Sequence, residues 1–339
     1  MLDASAPNVL AVRFSSIGDV LLTTPLLRAI RRRHPTARIT VLTKLVHAPL
    51  LSHNPYVNDV IGLPADRGVF GLAAELRRNR FTHLLDLHDS VRSRMLHLLV
   101  PGRWRRYPKH RLARAVLIHA KRNWYRDPRQ VAERYFDAAR DLDVTPDGGP
   151  PDLFLSAEAV RETADWMDRI GLRGDRPLLA LAPGAAHATK RWPLEHWHAL
   201  ARRLIADGFE LIVVGGSEDI RIARAIVANA GDRAVNAAGQ FGLQGTGAVL
   251  QRVRGLVSGD TGVMHLATAV GTPVVALFGP TVRPFGYFPY TPRAEVVELP
   301  LGCRPCSSKG SSRCPLGHHR CLGDMRPELV LEAVRRSVA

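Results

Sequence analysis

Leu256-Val257-Ser258-Gly259-Asp260-Thr261-Gly262-Val263-Met264-His265-Leu266-Ala267 reads as a short apolar run, a turn of small polar residues and the start of a helical pattern. A strand that enters a helix through so tight a turn is the building unit of a parallel α/β sheet. Glycines at 259 and 262 let a backbone approach a ligand closely, because no Cβ stands in the way. Thr261 is placed to cap the helix, and the unpaired N–H groups of that first turn attract an anion. Asp260 stands beside them as an acceptor for sugar hydroxyls, with His265 one helical turn further in. The stretch fits a phosphorylated ligand that also carries polyol groups. An ordinary capped strand–turn–helix connection is the plain alternative.

The turns elsewhere repeat this design. In the first half, Val9-Leu10-Ala11-Val12-Arg13-Phe14 reads as a buried strand, Ser15 to Asp19 as its turn and Val20 to Arg33 as a helix. Asp19 falls at the carboxyl end of that strand, where open parallel sheets keep their sites, although a plain helix cap would also look like this. Strands are expected at 38–42, 60–63 and 84–87, with a helix over 71–80. His88-Asp89-Ser90 follows the last of these strands, again at a carboxyl end. The alternation of strand and helix predicts a doubly wound domain.

Thr145-Pro146-Asp147-Gly148-Gly149-Pro150-Pro151 breaks every pattern and reads as a linker, giving an N-terminal domain over 1–148 and a C-terminal domain over 149–339. The second half restarts with a strand at 178–182. Its turn, 183–193, carries small residues followed by Thr189, Lys190 and Arg191, a composition suited to a diphosphate with Lys190 as counter-charge. A helix over 194–206, a strand over 210–214 and a helix over 220–230 follow. Glu218 or Asp219, in the turn between the last two, could accept ribose hydroxyls or cap the helix. After the opening stretch come a strand at 273–278, the turn 279–281 and a last helix over 327–338. Turns at 183–191, 215–219, 259–262 and 279–281 therefore converge on one sheet edge, which argues for a ligand more strongly than any one turn does.

Neither Gly-x-Gly-x-x-Gly nor Gly-x-x-x-x-Gly-Lys-Ser/Thr occurs, which argues against a dinucleotide oxidoreductase and a P-loop kinase. Asp141-Leu142-Asp143 has the form of a metal-binding Asp-x-Asp, but it lies at a helix end beside the linker and not after a strand.

Across 339 residues the chain carries a net charge of +16, so its surface should attract polyanions or an anionic substrate. Residues 92–134 hold 13 Lys/Arg against two acids, with Trp104, Tyr107, Trp124 and Tyr125 interleaved. This suits an acidic membrane surface or an anionic acceptor. No nucleic-acid-binding signature accompanies it, so nucleic acid is not the expected partner. With no basic leader and no apolar run of membrane-spanning length, a cytoplasmic protein is expected, peripheral on the inner membrane. The four cysteines, Cys303, Cys306, Cys314 and Cys321, share one loop with His318 and His319, where a structural zinc is chemically sensible.

Together, Arg13-Phe14-Ser15-Ser16-Ile17-Gly18-Asp19-Val20-Leu21, Pro183-Gly184 with Lys190-Arg191-Trp192-Pro193, Gly215-Gly216-Ser217-Glu218, 258–265 and 271–281 resemble glycosyltransferase family 9, the heptosyltransferases of the lipopolysaccharide inner core. The resemblance implies a GT-B fold, two Rossmann-like domains with parallel sheets facing across a cleft, the last helix crossing back to the N-terminal domain. It implies an inverting transfer of heptose from ADP-L-glycero-D-manno-heptose to an anionic, lipid-linked core oligosaccharide, with no catalytic metal. By matched position Asp19 is the catalytic base. Lys190 contacts the diphosphate, Glu218 the ribose and Asp260 the heptose, while Thr261 and Gly262 offer backbone N–H groups. Thr189 and His265 complete the donor set, and Arg13, Ser15, Ser16, Gly18, His88 and Arg92 are assigned to the acceptor. His88-Asp89 stands where many members carry Gln-Gly, a departure that bears on the acceptor. The competing expectations are a related GT-B enzyme using another nucleotide sugar or acceptor, an epimerase, and a polyanion- or membrane-binding module.

Overall fold

Val9, Leu10, Ala11 and Val12 are at most 1% exposed, because a parallel strand is covered by helices on both faces. The computed structural model describes residues 6–172 and 176–338. Two compact units result: residues 1–109 with 129–154, and residues 110–128 with 155–339.

The first unit runs β1 (Asn8–Val12), α1 (Ile17–Leu21), α2 (Thr24–Arg33), β2 (Arg38–Lys44), β3 (Asp59–Leu63), α3 (Val69–Arg78), β4 (His83–Asp86), α4 (Val91–Leu99) and β5 (Trp104–Arg106). Its sheet is wholly parallel in the order β3-β2-β1-β4-β5. Strand order reverses between β1 and β4, whose registered pairs run from Val9↔His83 to Val12↔Asp86. The helix expected over 20–33 is in fact two. Thr23 and Thr24 turn their hydroxyls onto the carbonyls of Val20 and Leu21, at 2.6 and 2.7 Å, and Pro25, which has no N–H, opens α2.

After α5 (Arg111–Ala120) the chain returns to the first unit with α6 (Val131–Arg134) and a 3₁₀ segment, Tyr135–Leu142. The excursion 110–128 belongs to the second unit because its side chains are committed there. Lys121 Nζ donates to the carbonyls of Cys303 and Pro305 at 2.9 and 2.6 Å, and the Arg114 guanidinium lies 5.3 Å from the centre of the Phe285 ring.

The second unit continues with α7 (Ala157–Arg169), β6 (Leu178–Ala182), α8 (Leu194–Ala206), β7 (Glu210–Val213), α9 (Ile220–Ala230), β8 (Ala234–Asn236), α10 (Leu243–Gln251), β9 (Gly255–Gly259), α11 (Gly262–Ala269), β10 (Val274–Phe278), β11 (Ala294–Glu298), α12 (Arg320–Gly323) and α13 (Pro327–Val338). Its parallel sheet has the order β11-β10-β9-β6-β7-β8, reversing between β6 and β9. The last helix was expected to cross back to the N-terminal domain. Val330, Leu331, Ala333 and Val334 of α13 are buried in the second unit's own core, with Trp197, Leu200 and Leu277.

The stretch 145–151 is not a free linker. Arg28 of α2, with its side chain 5% exposed, grips Asp147 through two bonds of 2.8 Å, pairs with Asp152 and donates to the Pro150 carbonyl at 3.0 Å. These contacts move the boundary from 148 to 154. Hydrogen bonds donated to Asp147 raise the Arg28 pKa further, against the cost of burial. Removing one partner of such a buried network leaves uncompensated charge. Arg28→Met should therefore destabilise the first unit by about 3 kcal/mol, read as a lower midpoint in urea unfolding. An unchanged midpoint would show that the segment is not held this way.

Candidate functional site

In each sheet the charged candidates Asp19, Lys190 and Asp260 follow the two strands where the order reverses, the place at which an open α/β sheet leaves a crevice, while Glu218 follows β7. In the first unit these strands are β1 and β4. Asp19 lies in α1, just after β1, with its side chain 15% exposed. Arg13 NH2 meets Asp19 Oδ1 at 2.5 Å, and Ser16 donates its backbone N–H and hydroxyl to Oδ2 at 3.1 and 2.9 Å. Burial works against the charged carboxylate, but the Arg13 charge and the Ser16 hydrogen bonds outweigh it and hold Asp19 below its ordinary pKa. The group is thus an ionised, oriented proton acceptor at neutral pH.

Arg13 was assigned to the acceptor, yet the structure commits it inward. It is 5% exposed, and its guanidinium donates to the carbonyls of Ser15 and Leu87 at 2.9 and 2.5 Å. It also lies 5.7 Å from the centre of the Tyr135 ring. Its visible work is to position Asp19. Ser15 is partly exposed, Ser16 is exposed and Gly18 is buried in the first turn of α1. Arg92, partly exposed on α4, donates to the Arg67 carbonyl at 3.4 Å.

His88 follows β4. Its backbone N–H donates to Asp86 Oδ1 at 2.9 Å, and its ring meets Phe14 edge-on at 5.2 Å. Burial, reinforced by the charges of Arg13 and Lys109, pushes its pKa down to about 4. His88 is therefore a neutral imidazole at physiological pH.

In the second unit the strands are β6 and β9. Lys190, on the turn after β6, sits 2.6 Å from Asp260 Oδ2 and 3.1 Å from its backbone oxygen. Asp260, after β9, is 8% exposed and also accepts from Thr281 Oγ1 at 2.7 Å. Thr281 was not among the expected donor residues, although its place just after β10 is the sequence signal that could have found it. Arg304 fixes that turn by donating to the Thr281 carbonyl at 2.8 Å and to the Gly279 carbonyl at 2.5 Å.

Thr261 occupies the N-cap of α11 without capping it through its side chain. Its hydroxyl lies 3.2 Å from that of Ser258. Thr261, Gly262 and Val263 in the first turn are partly exposed. His265 is 4% exposed within α11. Thr189, 3% exposed, spends its hydroxyl on Ser311, accepting from its N–H at 2.9 Å and donating to its carbonyl at 3.1 Å. Its visible task is to anchor the cysteine loop.

Glu218 and Asp219 differ in their surroundings. Asp219 accepts from Gly216 N–H at 2.9 Å, while Glu218 is exposed. A Cβ on Gly184 would lie 2.1 Å from Asp219 Oδ1, so that glycine is required for the two turns to meet.

The four cysteines are free thiols. Burial first, and neighbouring cysteines next, push Cys321 up to about 11 and raise Cys306 as well. Among the described residues, no group of three or more His, Cys, Asp or Glu side chains is placed to hold a metal ion.

A family model described as glycosyltransferase family 9 (heptosyltransferase) matches residues 69–316. The chain belongs to glycosyltransferase family 9. The lipopolysaccharide heptosyltransferase 2 of Escherichia coli K12 is 29% identical over 344 residues, covering 96% of this chain and 97% of that relative. The structure of E. coli ADP-heptose LPS heptosyltransferase II matches with a TM-score of 0.75 at 26% identity, covering 98% of each chain. A glycosyl transferase family 9 structure from Veillonella parvula has the same fold, with a TM-score of 0.82 at 22% identity, over 98% of this chain and 97% of that one. This family 9 glycosyltransferase thus has the GT-B fold, and the expectation of a mere polyanion-binding module is set aside.

The His88 environment generates a pH prediction. Its folded pKa of about 4 lies below the unfolded value of 6.5, so the unfolded chain binds the extra proton between them. Stability is complete above 6.5 and falls as the pH drops toward about 4. His88→Gln should lose less stability than the wild type across that window in thermal melts. Parallel losses in the two proteins would refute the assignment.

Proposed function

We propose that this enzyme transfers heptose from ADP-L-glycero-D-manno-heptose to the lipopolysaccharide inner core, inverting the anomeric centre and using no catalytic metal. The reading is carried by one device in each unit. One is an ionised carboxylate, Asp19, held by Arg13 at 2.5 Å; the other is a cation, Lys190, close to the uncapped N-terminus of α11. The 26%-identical structural relative is an ADP-heptose LPS heptosyltransferase, which supports the donor.

Inversion needs one displacement. An acceptor hydroxyl attacks the anomeric carbon as the bond to the diphosphate breaks. The hydroxyl is a poor nucleophile until its proton is taken, and Asp19 is the residue assigned to take it. Because Arg13 stabilises the charged form of Asp19, the carboxylate is a weak base before reaction. Proton transfer then runs with bond formation, as attack makes the hydroxyl acidic. The departing ADP gains negative charge, which Lys190 and the N–H groups of the first turn of α11 stabilise in place. A diphosphate drawing Lys190 toward itself frees Asp260 to accept hydroxyls of the heptose, and exposed Glu218 is suited to the ribose. The acceptor we assign is a core that already carries one heptose, a reading supported by the E. coli and Haemophilus influenzae relatives named heptosyltransferase 2.

Asp19→Asn keeps the shape and removes the base. It should lower kcat by roughly 10²–10⁴-fold in transfer from ADP-heptose to purified truncated cores, with wild-type turnover unaffected by EDTA. Full turnover by Asp19→Asn, or loss of wild-type turnover in EDTA, would sink the mechanism. Lys190→Ala should lower kcat/KM for the donor by on the order of 10²-fold, and equal kinetics with wild type would remove Lys190 from the diphosphate site. Running both assays on cores with no heptose and with one heptose tests the acceptor.

A further inference from the structure

The outer face of α4 is apolar where a surface helix is ordinarily polar. Val91, Met95 and Leu98 are 79%, 37% and 87% exposed, while Leu96 of the same helix is fully buried. Their spacing of four and three residues sets them on one stripe at 3.6 residues per turn. Phe70, on α3 packed beside α4, is 70% exposed as well. A cluster of large apolar side chains left in water marks a docking surface.

Cations border the stripe. At 100° per residue, Arg94 falls on one side of it and Arg92 on the other. Arg94 is 49% exposed, and Arg77 donates to the Leu99 carbonyl at 2.5 Å, which brings a further charge to the end of the helix. The acids nearby are outnumbered: Asp89 is shared by Arg94 and Arg106, and Glu75 pairs with Arg67.

We propose that this face of α4 docks on an anionic lipid surface. Apolar side chains enter the boundary between headgroups and acyl chains while flanking arginines extend to the phosphates. A helix of nine residues lies in such an interface, and no described helix is long and apolar enough to cross a membrane. A second copy of the chain is the poorer partner, since stripe against stripe would bring Arg92 and Arg94 of both copies together on a protein of charge +16. The inference stands on α4 alone and does not depend on which sugar is transferred.

The test is co-sedimentation of the full chain with vesicles of phosphatidylcholine alone, and with about 30% phosphatidylglycerol added. Wild type should bind the anionic vesicles at least roughly tenfold more tightly, and added salt should weaken that binding. V91S/M95S/L98S should lose about tenfold or more in affinity, with an unchanged circular dichroism spectrum and melting temperature. Equal binding by wild type and the triple variant would overturn the proposal. So would wild-type self-association in sedimentation velocity that the triple variant abolishes, because the face would then serve a protein contact.

Discussion

Strands buried on both faces leave a parallel sheet little room for polar chemistry along its length. Their side chains are spent on packing, as Val9 to Val12 and Leu178 to Ala182 are here, each no more than 7% exposed. Chemistry moves to the turns at the carboxyl ends, and the strand order decides which turns have space between them. Both sheets reverse direction beside their first strand, β1 next to β4 and β6 next to β9. Neighbouring helices diverge at that point, and the turns that carry Asp19, His88, Lys190 and Asp260 all follow one of these four strands.

The charged groups in those turns are held before any substrate arrives. Arg13 with Asp19, and Lys190 with Asp260, are ion pairs with every side chain no more than 15% exposed. Desolvating such groups is costly, and a buried ion pair is weak evidence for stability. Its value at a reaction centre is orientation, since an aligned charge needs no reorganisation as the reaction proceeds. The two pairs do different work. Arg13 is enclosed by carbonyls and rings and keeps Asp19 ionised, whereas Lys190 and Asp260 neutralise each other beside Thr281.

The cysteine loop braces the turns of the second unit that hold Thr189 and Thr281. Arg304 grips the turn that holds Thr281, Ser311 occupies the hydroxyl of Thr189, and His319 lies 3.0 Å from the Thr189 carbonyl. The segment acts here as a hydrogen-bonded buttress, and burial raises the pKa of its Cys306 and Cys321 thiols.

Much of this was legible in the chain itself. Apolar runs bounded by small polar turns identify parallel strands wherever they occur, and the helices over 194–206, 220–230 and 327–338 have the bounds their spacing predicts. The turns that bear Asp19, Lys190 and Asp260 follow strands, which is local information. Short or glycine-bearing elements such as β8 and α10 were not legible, because three residues carry little periodicity and Gly245 and Gly247 lower helix preference. Tertiary structure alone decided the rest. Whether Arg13 faces a ligand or Asp19, whether Asp219 or Glu218 caps the turn, and whether Thr189 is free all depend on partners distant in the chain or on the closure of a turn. The allegiance of residues 110–128, and of α13, depends on which core their side chains enter. Local sequence sets how a segment folds and which groups it offers; what those groups meet is set by the packing of segments far apart in the chain.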